Sequence, residues 1–305
     1  MSSVAILQSS YNGARFLGDQ LRSFERQSHR DWLLINADDG STDDTLDIFS
    51  KFQKKIGFER VFLQQGPRRG FVINFLSLIA DENIRADYYA FSDQDDIWEP
   101  DKLERALAWL ATVPASVPGL YCSRTRLIDE SGQSIGFSPL FAKPPSFANA
   151  LVQNIAGGNT MVFNEAARQL LKAGGIVNVP SHDWWLYMLV SGVEGAMFYD
   201  RYCSVRYRCH RANLVGSNLG IMPRVLRVKM LLKGQFRSWT DMYMTAIETC
   251  RPPLTPRSRA VLEIFRNARR EGLMARVSGL RRSGVYRQTR LGNIGLFVGA
   301  VLNKI

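Results

Sequence analysis

Four consecutive segments of this chain share one pattern, in which a short apolar run ends in polar residues and apolar positions at helical spacing follow. The runs cover residues 4–7, 32–35, 61–63 and 88–91. Repeated strand, turn and helix units predict right-handed crossovers and a mostly parallel central sheet flanked by helices. Because open α/β sheets bind ligands beyond the carboxyl ends of their strands, the polar residues after each run are the first candidates for a site.

The fourth run leads directly into three carboxylates within four positions, Asp93, Asp95 and Asp96. Like charges this close repel one another, so a strand end is an unfavourable place for them unless a cation shares them. Oxygen ligands suit Mg²⁺ or Mn²⁺, and Mg²⁺ commonly takes one or two protein carboxylates together with phosphate oxygens. Two interpretations remain open from the residues alone: a metal site that receives a diphosphate, or a polar loop whose aspartates cap the next helix.

A second acidic pair, Asp38 and Asp39, follows the second apolar run and precedes Gly40. A carboxylate at this place can accept a hydrogen bond from the imide N–H of uracil or thymine. The same string also suits a helix start, since Ser41 can cap a helix and Asp43 can complement its dipole. Capping accounts for the later part of the string and leaves the first two acids unexplained.

Charge is distributed very unevenly along the 305 residues. Residues 201–305 contain 21 Lys plus Arg against 4 Asp plus Glu, a net +17, whereas residues 1–200 contain 18 against 24, a net −6. We therefore divide the chain into a motif-bearing part, 1–218, and a basic, mainly helical extension, 219–305. Residues 221–232 and 261–277 have the pattern of basic amphipathic helices, which either lie on an anionic membrane or pack on the first part. Nucleic acid is disfavoured because interleaved aromatic residues are lacking.

Cysteine usage and hydropathy predict a cytoplasmic location, with peripheral attachment to the inner face of the membrane as an option. The four cysteines show no C-x-x-C spacing and only three histidines accompany them, so neither a zinc site nor a disulfide framework is expected. The first apolar run lacks a basic flank, and no signal peptide is expected. No stretch reaches the roughly 18 apolar residues that span a bilayer.

Three further segments hold polar residues that suit a second half of a site. Gly157 and Gly158 precede a strand pattern, which allows close backbone approach to a ligand or makes a plain turn. Asp183 begins a helical pattern, where it either caps the helix or acts as a catalytic residue. His210 follows Arg208 in a basic segment with Arg206, Arg211 and Asn213, which suits a departing diphosphate or a solvated strand.

The order and spacing of SSYNGARFLGDQLRSFERQ, DDGSTDDT and SDQDDIWEPDKL resemble the family 2 inverting glycosyltransferases of the GT-A fold, over residues 3–215. The resemblance implies that the nucleotide base lies against Ser9 and Asp39. It implies that Asp93 and Asp95 hold the ribose and a divalent cation, Mg²⁺ or Mn²⁺, with Asp95 as the first ligand. Asp96 and Trp98 are then expected to shape the loop.

Further roles are carried over from the same resemblance. The nucleotide sugar is expected to contact Ser9, Tyr11, Asp38, Asp39, Arg69, Asn74, Asp93, Gln94, Arg208 and His210. The metal ligands are expected to be Asp95, Asp93 and His210, and the acceptor or sugar loop to include Gly158, Asn159, His182 and Trp184. Asp183 stands in the place of the catalytic base. His182 departs from the family, in which a glutamate is more common at this position.

HDWW followed by YRCHRANLVGS resembles the bacterial rhamnosyltransferase branch, which uses dTDP-L-rhamnose to build surface polysaccharides such as lipopolysaccharide. The segment GPRRGFVINF fits that branch as well, although Arg68 and Arg69 stand where a shorter, less charged turn is expected. Expected partners are therefore a dTDP-sugar donor and a glycan or lipid-linked acceptor. A UDP-hexose donor remains an alternative, because Asp39 can pair with uracil or thymine. A noncatalytic protein that binds nucleotide sugars or polyanions is the second alternative.

Overall fold

The computed structural model describes residues 2–210 and 228–305. The strands are β1 Val4–Ser10, β2 Trp32–Asp38, β3 Val61–Gln65, β4 Tyr88–Ser92, β5 Ile97–Trp98, β6 Gly119–Ile128, β7 Ser134–Phe137, β8 Val162–Asn164 and β9 Ala196–Arg208. The helices are α1 Ala14–Glu25, α2 Thr45–Ile56, α3 Phe71–Ala80, α4 Lys102–Leu110, α5 Phe147–Ala150, α6 Glu165–Ala173, α7 His182–Gly192, α8 Gln235–Cys250, α9 Pro256–Arg270, α10 Leu273–Arg282 and α11 Arg290–Val301.

The strands of the described residues form one mixed sheet in the order β3-β2-β1-β4-β8-β6-β9-β5, with β7 paired to β6. Strands β3, β2, β1 and β4 are parallel neighbours, as the repeated units predict. Strand β8 runs antiparallel between β4 and β6, while β6 and β9 are parallel. The predicted α/β fold class is confirmed, and the polar residues that follow β1, β2 and β4 lie at one edge of the sheet.

Side chains of the central strands alternate between two apolar layers. Val4 and Ile6 of β1 belong to the layer that includes α1, α2 and α4, whereas Ala5 and Leu7 belong to the layer that includes α3, α6 and α7. All four are fully buried. This period of two is what a strand covered by helices on both faces requires.

The C-terminal helices pack on the second of these layers. Tyr243 of α8, Phe265 of α9, Leu280 of α10 and Leu296 of α11 are buried in the same core cluster as α7. The helix predicted over 261–277 is instead two helices, because the chain is extended at Gly272 (φ −66°, ψ 172°). The predicted boundary at 218/219 lies outside the described residues.

Within residues 2–210 and 228–305, none of the helices is both long and apolar enough to cross a bilayer.

Candidate active site

The Asp38 carboxylate closes the loop after β2. It accepts hydrogen bonds from the Ser10 hydroxyl (2.9 Å), from the backbone N–H of Gly40 and Ser41 (3.0 and 2.7 Å) and from the Ser41 hydroxyl (2.6 Å). Four donors fill the acceptor sites of a carboxylate, so this side chain shapes the loop instead of facing a nucleotide. The predicted cap by Ser41 is wrong: the residue before α2 is Asp44, and it makes no side-chain cap bond.

Asp39 ties the strand end to the turn before α3. Its two carboxylate oxygens accept from the backbone N–H groups of Arg68 (2.6 Å) and Gly70 (2.7 Å). Gly70 has φ +87°, a left-handed conformation that suits glycine. Arg69, between them, is exposed. Asp39, which is expected to bind the nucleotide base, therefore also holds the turn with Arg68 and Arg69 in place.

The two other predicted base-site residues at this edge are bonded to each other. Asn74 donates its side-chain N–H to the Ser9 hydroxyl (2.7 Å) and to the Ala37 carbonyl (2.7 Å), which joins α3 to the ends of β1 and β2. Asn74 is fully buried and Ser9 nearly so. These bonds set the spacing of the strand ends, and contact of Ser9 and Asn74 with a nucleotide stays a prediction.

Tyr11 is the exposed aromatic residue at the end of β1, with 57% of its surface accessible. Its backbone is held by the Gln94 amide, which accepts from Tyr11 N–H (2.9 Å) and donates to Tyr11 C=O (3.0 Å). Gln94 is thus used to fix the β1 loop against the acidic loop. An aromatic ring exposed in this way suits stacking against a planar ligand.

The acidic loop 93–96 places its carboxylates in different surroundings. Asp96 is fully buried and accepts from the Asn159 side-chain amide and from the backbone N–H of Arg208 (3.0 Å), as expected for a residue that shapes the loop. Burial raises the pKa of Asp96 well above its usual range, and Asp95 and Asp93 add to this. Burial, with the charges of Asp95 and Asp183, raises the pKa of Asp93 to about 7.

Asp95 and His210 meet across 115 positions of sequence. His210 Nε2 lies 2.8 Å from Asp95 Oδ2, and both side chains are largely buried. Neighbouring ligands of a cation with bonds of about 2.1 Å lie about 3 Å apart, so this pair suits two positions around one Mg²⁺ or Mn²⁺. No group of three or more His, Cys, Asp or Glu side chains suited to a metal occurs in residues 2–210 and 228–305. The donor set therefore fits a cation that takes further ligands from a bound diphosphate.

Arg208, expected beside the diphosphate, lies under the acidic loop. Its guanidinium donates to the Asp95 carbonyl (3.0 Å), the Glu130 carbonyl (2.9 Å) and the Asp19 carboxylate (2.9 Å). The residue is 1% exposed. Arg208 thus clamps the loop that carries Asp95. Arg211 and Asn213, predicted beside His210, lie outside the described residues.

Sequence reasoning missed Lys102, whose side chain is fully buried behind the same loop. Its Nζ lies 3.0 Å from the centre of the Trp98 ring and has no hydrogen-bond partner among the described residues. Burial lowers the pKa of Lys102, while the charges of Asp96 and Asp93 oppose that shift. A lysine in the first turn of a helix ordinarily faces solvent, so the sequence carries no signal that Lys102 is buried.

Asp183 stands at the start of α7 with both oxygens held. It accepts from the backbone N–H of Gly158 (2.7 Å) and of Trp184 (2.6 Å), and from the Ser181 hydroxyl. Burial raises the pKa of Asp183 to about 6, although the hydrogen bonds from Trp184 and Gly158 oppose it. A carboxylate with a raised pKa in a fixed orientation is the arrangement of a general base.

Two adjacent residues connect this carboxylate to the acidic loop. Gly158 donates its N–H to Asp183, and Asn159 donates its side-chain amide to Asp96. The Asp183 charge also contributes to the raised pKa of Asp93. The two centres predicted separately from sequence therefore share one site, with residues 158–159 between them.

His182 lies in an aromatic cage, not on the surface of an acceptor loop. Its ring stacks on Phe75 (4.0 Å between centroids) and meets Phe91 edge-on (4.6 Å). Neither ring nitrogen has a hydrogen-bond partner among the described residues. Burial lowers the pKa of His182 to about 3, so the imidazole is neutral in the physiological range. We assign it a packing role next to Asp183.

Trp184, expected in the acceptor or sugar loop, contacts the C-terminal helices. Its indole N–H donates to the Ala150 carbonyl (2.7 Å), and its ring lies 5.0 Å from that of Tyr243. The Tyr243 hydroxyl in turn donates to the Ser181 carbonyl (3.2 Å) at the start of α7. Helix α8 therefore supports the helix that carries Asp183, a role that sequence did not indicate.

The raised pKa predicts how the rate depends on pH. Below about pH 6 Asp183 is protonated and cannot accept a proton, so the transfer rate at saturating donor, acceptor and metal is expected to fall about tenfold per pH unit. Above pH 6 the rate is expected to level off. Initial rates between pH 4.5 and 8.5 check this, and a flat profile down to pH 4.5 contradicts it.

Replacing Gly158 by alanine is expected to displace Asp183. A Cβ at this position would lie 2.9 Å from His182 Nε2 and 3.1 Å from Asp183 Cβ, with little space to move in the aromatic cage. We expect kcat to fall by about tenfold or more, since small displacements of a catalytic group are costly. Gly295→Ala is the matched control, because its Cβ would meet nothing within 4 Å. Equal activity of both variants would contradict this role.

Solved structures show the class of fold to which this arrangement belongs. S. aureus TarS 1–349 matches with a TM-score of 0.54 and 13% identity, covering 99% of this chain and 89% of that one, and it has also been solved with UDP-GlcNAc. The mannosyltransferase PcManGT from Pyrobaculum calidifontis, solved with GDP-Man and Mn²⁺, matches with a TM-score of 0.51 and 15% identity, over 93% and 86% of the two chains. The fold is therefore of the GT-A type.

The family model described as glycosyl transferase family 2 matches residues 6–171, more than half of the chain. The chain belongs to glycosyltransferase family 2. It is 28% identical over 239 residues to the dTDP-rhamnosyl transferase RfbG of Shigella flexneri, covering 75% of this chain and 80% of that protein. It is 34% identical over 108 residues to the putative teichuronic acid biosynthesis glycosyltransferase TuaG of Bacillus subtilis, over 35% and 41% of the two chains.

Proposed function

We propose that this glycosyltransferase transfers L-rhamnose from dTDP-L-rhamnose to a hydroxyl of a bacterial surface polysaccharide or lipid-linked acceptor, with inversion at the anomeric carbon. The observation that carries the choice of donor is the similarity to a dTDP-rhamnosyl transferase along 80% of that relative's length. The buried Asp183, joined through residues 158–159 to the acidic loop, supports a single displacement.

The donor half of the site is built on the strand ends. The exposed Tyr11 ring would offer a face to the base, and Asp39, whose N–H donates to the Ser10 carbonyl (2.8 Å), follows the neighbouring strand β2. Asp93 is the ribose residue of the proposal. Asp95 and His210 would hold Mg²⁺ or Mn²⁺, which would offset the negative charge that develops on the departing diphosphate.

The acceptor half depends on Asp183. Its carboxylate would receive the proton as the acceptor oxygen attacks from the side opposite dTDP. Gly158 and Trp184 N–H groups hold the carboxylate in place, and Asn159 sets its position relative to the acidic loop. A base of this kind contributes about 10² to 10⁴ in rate.

The stereochemistry of the product tests this mechanism. The rhamnosyl linkage, determined by NMR on a purified product, is expected to have the anomeric configuration opposite to that of the donor. Retention would exclude a single displacement. A UDP-hexose as the true donor would leave the inversion in place and change only the sugar, so the two parts of the proposal fail separately.

We also propose that helix α11 attaches the protein to the inner face of the cell membrane. Leu291, Ile294 and Val298 of this helix are exposed by 71%, 60% and 44% and lie on one face at helical spacing. The surrounding sequence, 201–305, carries a net charge of +17. Exposed apolar residues within a basic region suit an anionic bilayer surface.

Vesicle flotation tests the attachment. Phosphatidylglycerol vesicles are expected to carry the protein, and the triple variant Leu291→Ser, Ile294→Ser, Val298→Ser is expected to lose at least tenfold in vesicle binding. The matched control changes Phe58 and Ile176 to Ser, which are exposed by 62% and 51% on other parts of the surface. Unchanged flotation of the triple variant would contradict the proposal.

A further inference from the structure

A second cluster of charge lies on the β6–β9 part of the sheet and has no part in the site described above. It is a pocket of about 390 Å³ lined by Glu99, Arg124, Arg126, Phe137, Arg201, Tyr202, Cys203 and Arg206. Glu99 is the one acidic residue among these, and it forms a two-point ion pair with Arg206 (2.8 and 2.9 Å). The lining therefore keeps three guanidinium charges beyond the one that Glu99 offsets.

The two other titratable groups in the pocket add no negative charge. Burial raises the pKa of the Cys203 thiol, and burial together with the hydrogen bond to Asp101 raises the pKa of Tyr202 to about 12. Both are neutral at physiological pH. The pocket consequently has a strong positive potential that its own residues leave in place.

The arginines lie close together although their positive charges repel one another. Arg126 of β6 and Arg206 of β9 are direct partners across the strands, a position in which like charges destabilise a sheet. Arg124, two residues before Arg126, projects from the same face of β6. Arg126 Nε is buried and has no hydrogen-bond partner among the described residues. An anion between these groups would remove the repulsion and satisfy the buried N–H.

Two features hold the cluster in place without a ligand. The Arg124 and Arg126 guanidiniums lie over the Phe137 ring, 5.1 and 5.8 Å from its centre, and Arg124 Nε donates to the Ser138 carbonyl (2.7 Å). The register between β6 and β9 shifts beside Arg124, and the extra residues of β9 there include Arg201. Bulges of this kind redirect side chains at binding sites.

We infer that this pocket is a binding site for a phosphate ester or diphosphate, separate from the donor site. Guanidinium forks match the oxygens of phosphate, and three uncompensated charges suit a group with more than one negative charge. A volume of about 390 Å³ is at the small end of the range for small-molecule sites. The pocket therefore accommodates a phosphate with one small chemical group attached to it.

The pocket adjoins the reaction centre along two segments of the chain. Glu99 is four residues after Asp95, and Arg206 is four residues before His210, so each Cα pair is at most about 14 Å apart. Two sources therefore share the required chemistry: the phosphate that joins a glycan acceptor to its lipid, and the headgroup of an anionic lipid. The first of these rests on the proposed transferase function, whereas phosphate binding itself does not.

Calorimetric titration of the full chain with inorganic pyrophosphate, in EDTA and without donor, tests the site directly. The variant Arg124→Gln, Arg126→Gln is expected to bind at least tenfold more weakly than the unmodified protein. Arg259→Gln, an exposed change of the same charge on α9 outside the pocket, is expected to bind normally. Equal binding by the double variant, or no binding by the unmodified protein, overturns the inference.

Two measurements guard against a folding defect. Arg126→Gln alone is expected to keep or raise the melting temperature in the absence of phosphate, because it removes one of the three guanidinium charges that Glu99 does not offset; a large decrease would count against the cluster as described. Arg201→Gln alters an exposed residue of the bulge and is expected to weaken pyrophosphate binding about threefold in a folded protein. Unchanged binding in that variant would remove Arg201 from the site.

The source of the phosphate is then separated by two further assays on the double variant. A raised KM for a prenyl-diphosphate-linked acceptor, with an unchanged KM for the donor, identifies the acceptor's diphosphate. Loss of flotation with phosphatidylglycerol vesicles identifies the lipid headgroup. If pyrophosphate binding is lost and both assays are unchanged, the ligand is a free phosphate compound. Because pyrophosphate binding needs no turnover, its failure and that of the transferase proposal are distinguishable.

Discussion

Asp183→Asn is expected to reduce kcat by about 10² to 10⁴, because the amide cannot accept the proton of the acceptor hydroxyl. The amide has nearly the same shape as the carboxylate, and its oxygen can still accept the backbone N–H of Gly158 or Trp184. The loss should therefore be in the chemical step and not in donor binding. Initial rates at saturating donor and acceptor measure the change.

Two controls separate a lost base from a damaged fold. Thermal stabilisation by dTDP with Mn²⁺ is expected to be retained, because Asp95 and His210, the pair proposed to hold the cation, are unchanged. Since burial raises the pKa of Asp183 from 3.8 to about 6, the folded protein loses stability as pH rises through that interval. The variant's melting temperature, relative to the unmodified protein, is thus expected to improve from pH 4 to pH 7. Activity within threefold of the unmodified enzyme would remove Asp183 from the mechanism.

Asp95→Ala is expected to reduce transfer by at least about 10²-fold, as for the loss of one major electrostatic contact to a developing charge. Removing this carboxylate leaves His210 as the single remaining member of the metal pair. Both kcat and the affinity for the metal-nucleotide complex should fall. Rates at a raised Mn²⁺ concentration should recover only in part, because mass action offsets some of the lost affinity.

The control for that variant is Asp47→Ala, which removes an exposed carboxylate from the first turn of α2. Its activity is expected to be unchanged. The His210→Ala variant is expected to reproduce the Asp95→Ala defect, and the double variant should add little, because the two side chains act as a unit. Additive losses would indicate that Asp95 and His210 act on different groups.

The parallel half of the sheet was predictable because each of its units is local in sequence. Each strand, polar turn and helix lies within about thirty residues, and the right-handed crossover rule leaves few arrangements. The other half was not predictable in the same way. Strand β5 has two residues and pairs with β9 more than a hundred positions later, so no local pattern marks it.

Residue type alone indicates which residues near the site are polar. It does not indicate which of them form hydrogen bonds within the protein instead of binding a ligand. Arg208 and Asp38 are of residue types that often bind ligands, but in the structure both form hydrogen bonds that fix the conformation of loops. The sequence resemblance implies that His182 belongs to the acceptor side, yet Phe75 and Phe91 from distant segments enclose it. These roles depend on long-range packing, which the spacing of residues in one segment does not contain.

For the C-terminal helices, too, the sequence pattern does not decide what each helix packs against. An amphipathic basic pattern is compatible with a membrane surface and with a protein core, and α8 to α11 contribute residues to the core while α11 also exposes apolar ones. The support that Tyr243 gives to the start of α7 could be found only in three dimensions. The sequence predicts Asp183 as the base but does not indicate the helix that supports it.

Donor consumption is the most direct test of the proposed reaction. The full chain is incubated with Mn²⁺ and, in parallel, with dTDP-L-rhamnose, UDP-glucose, UDP-galactose and UDP-GlcNAc, and release of the nucleoside diphosphate is measured. We predict that dTDP-L-rhamnose is consumed with a kcat/KM at least tenfold above that of any UDP-sugar, and that Asp183→Asn and Asp95→Ala abolish this release. Consumption of a UDP-sugar without consumption of dTDP-L-rhamnose would contradict the assigned donor.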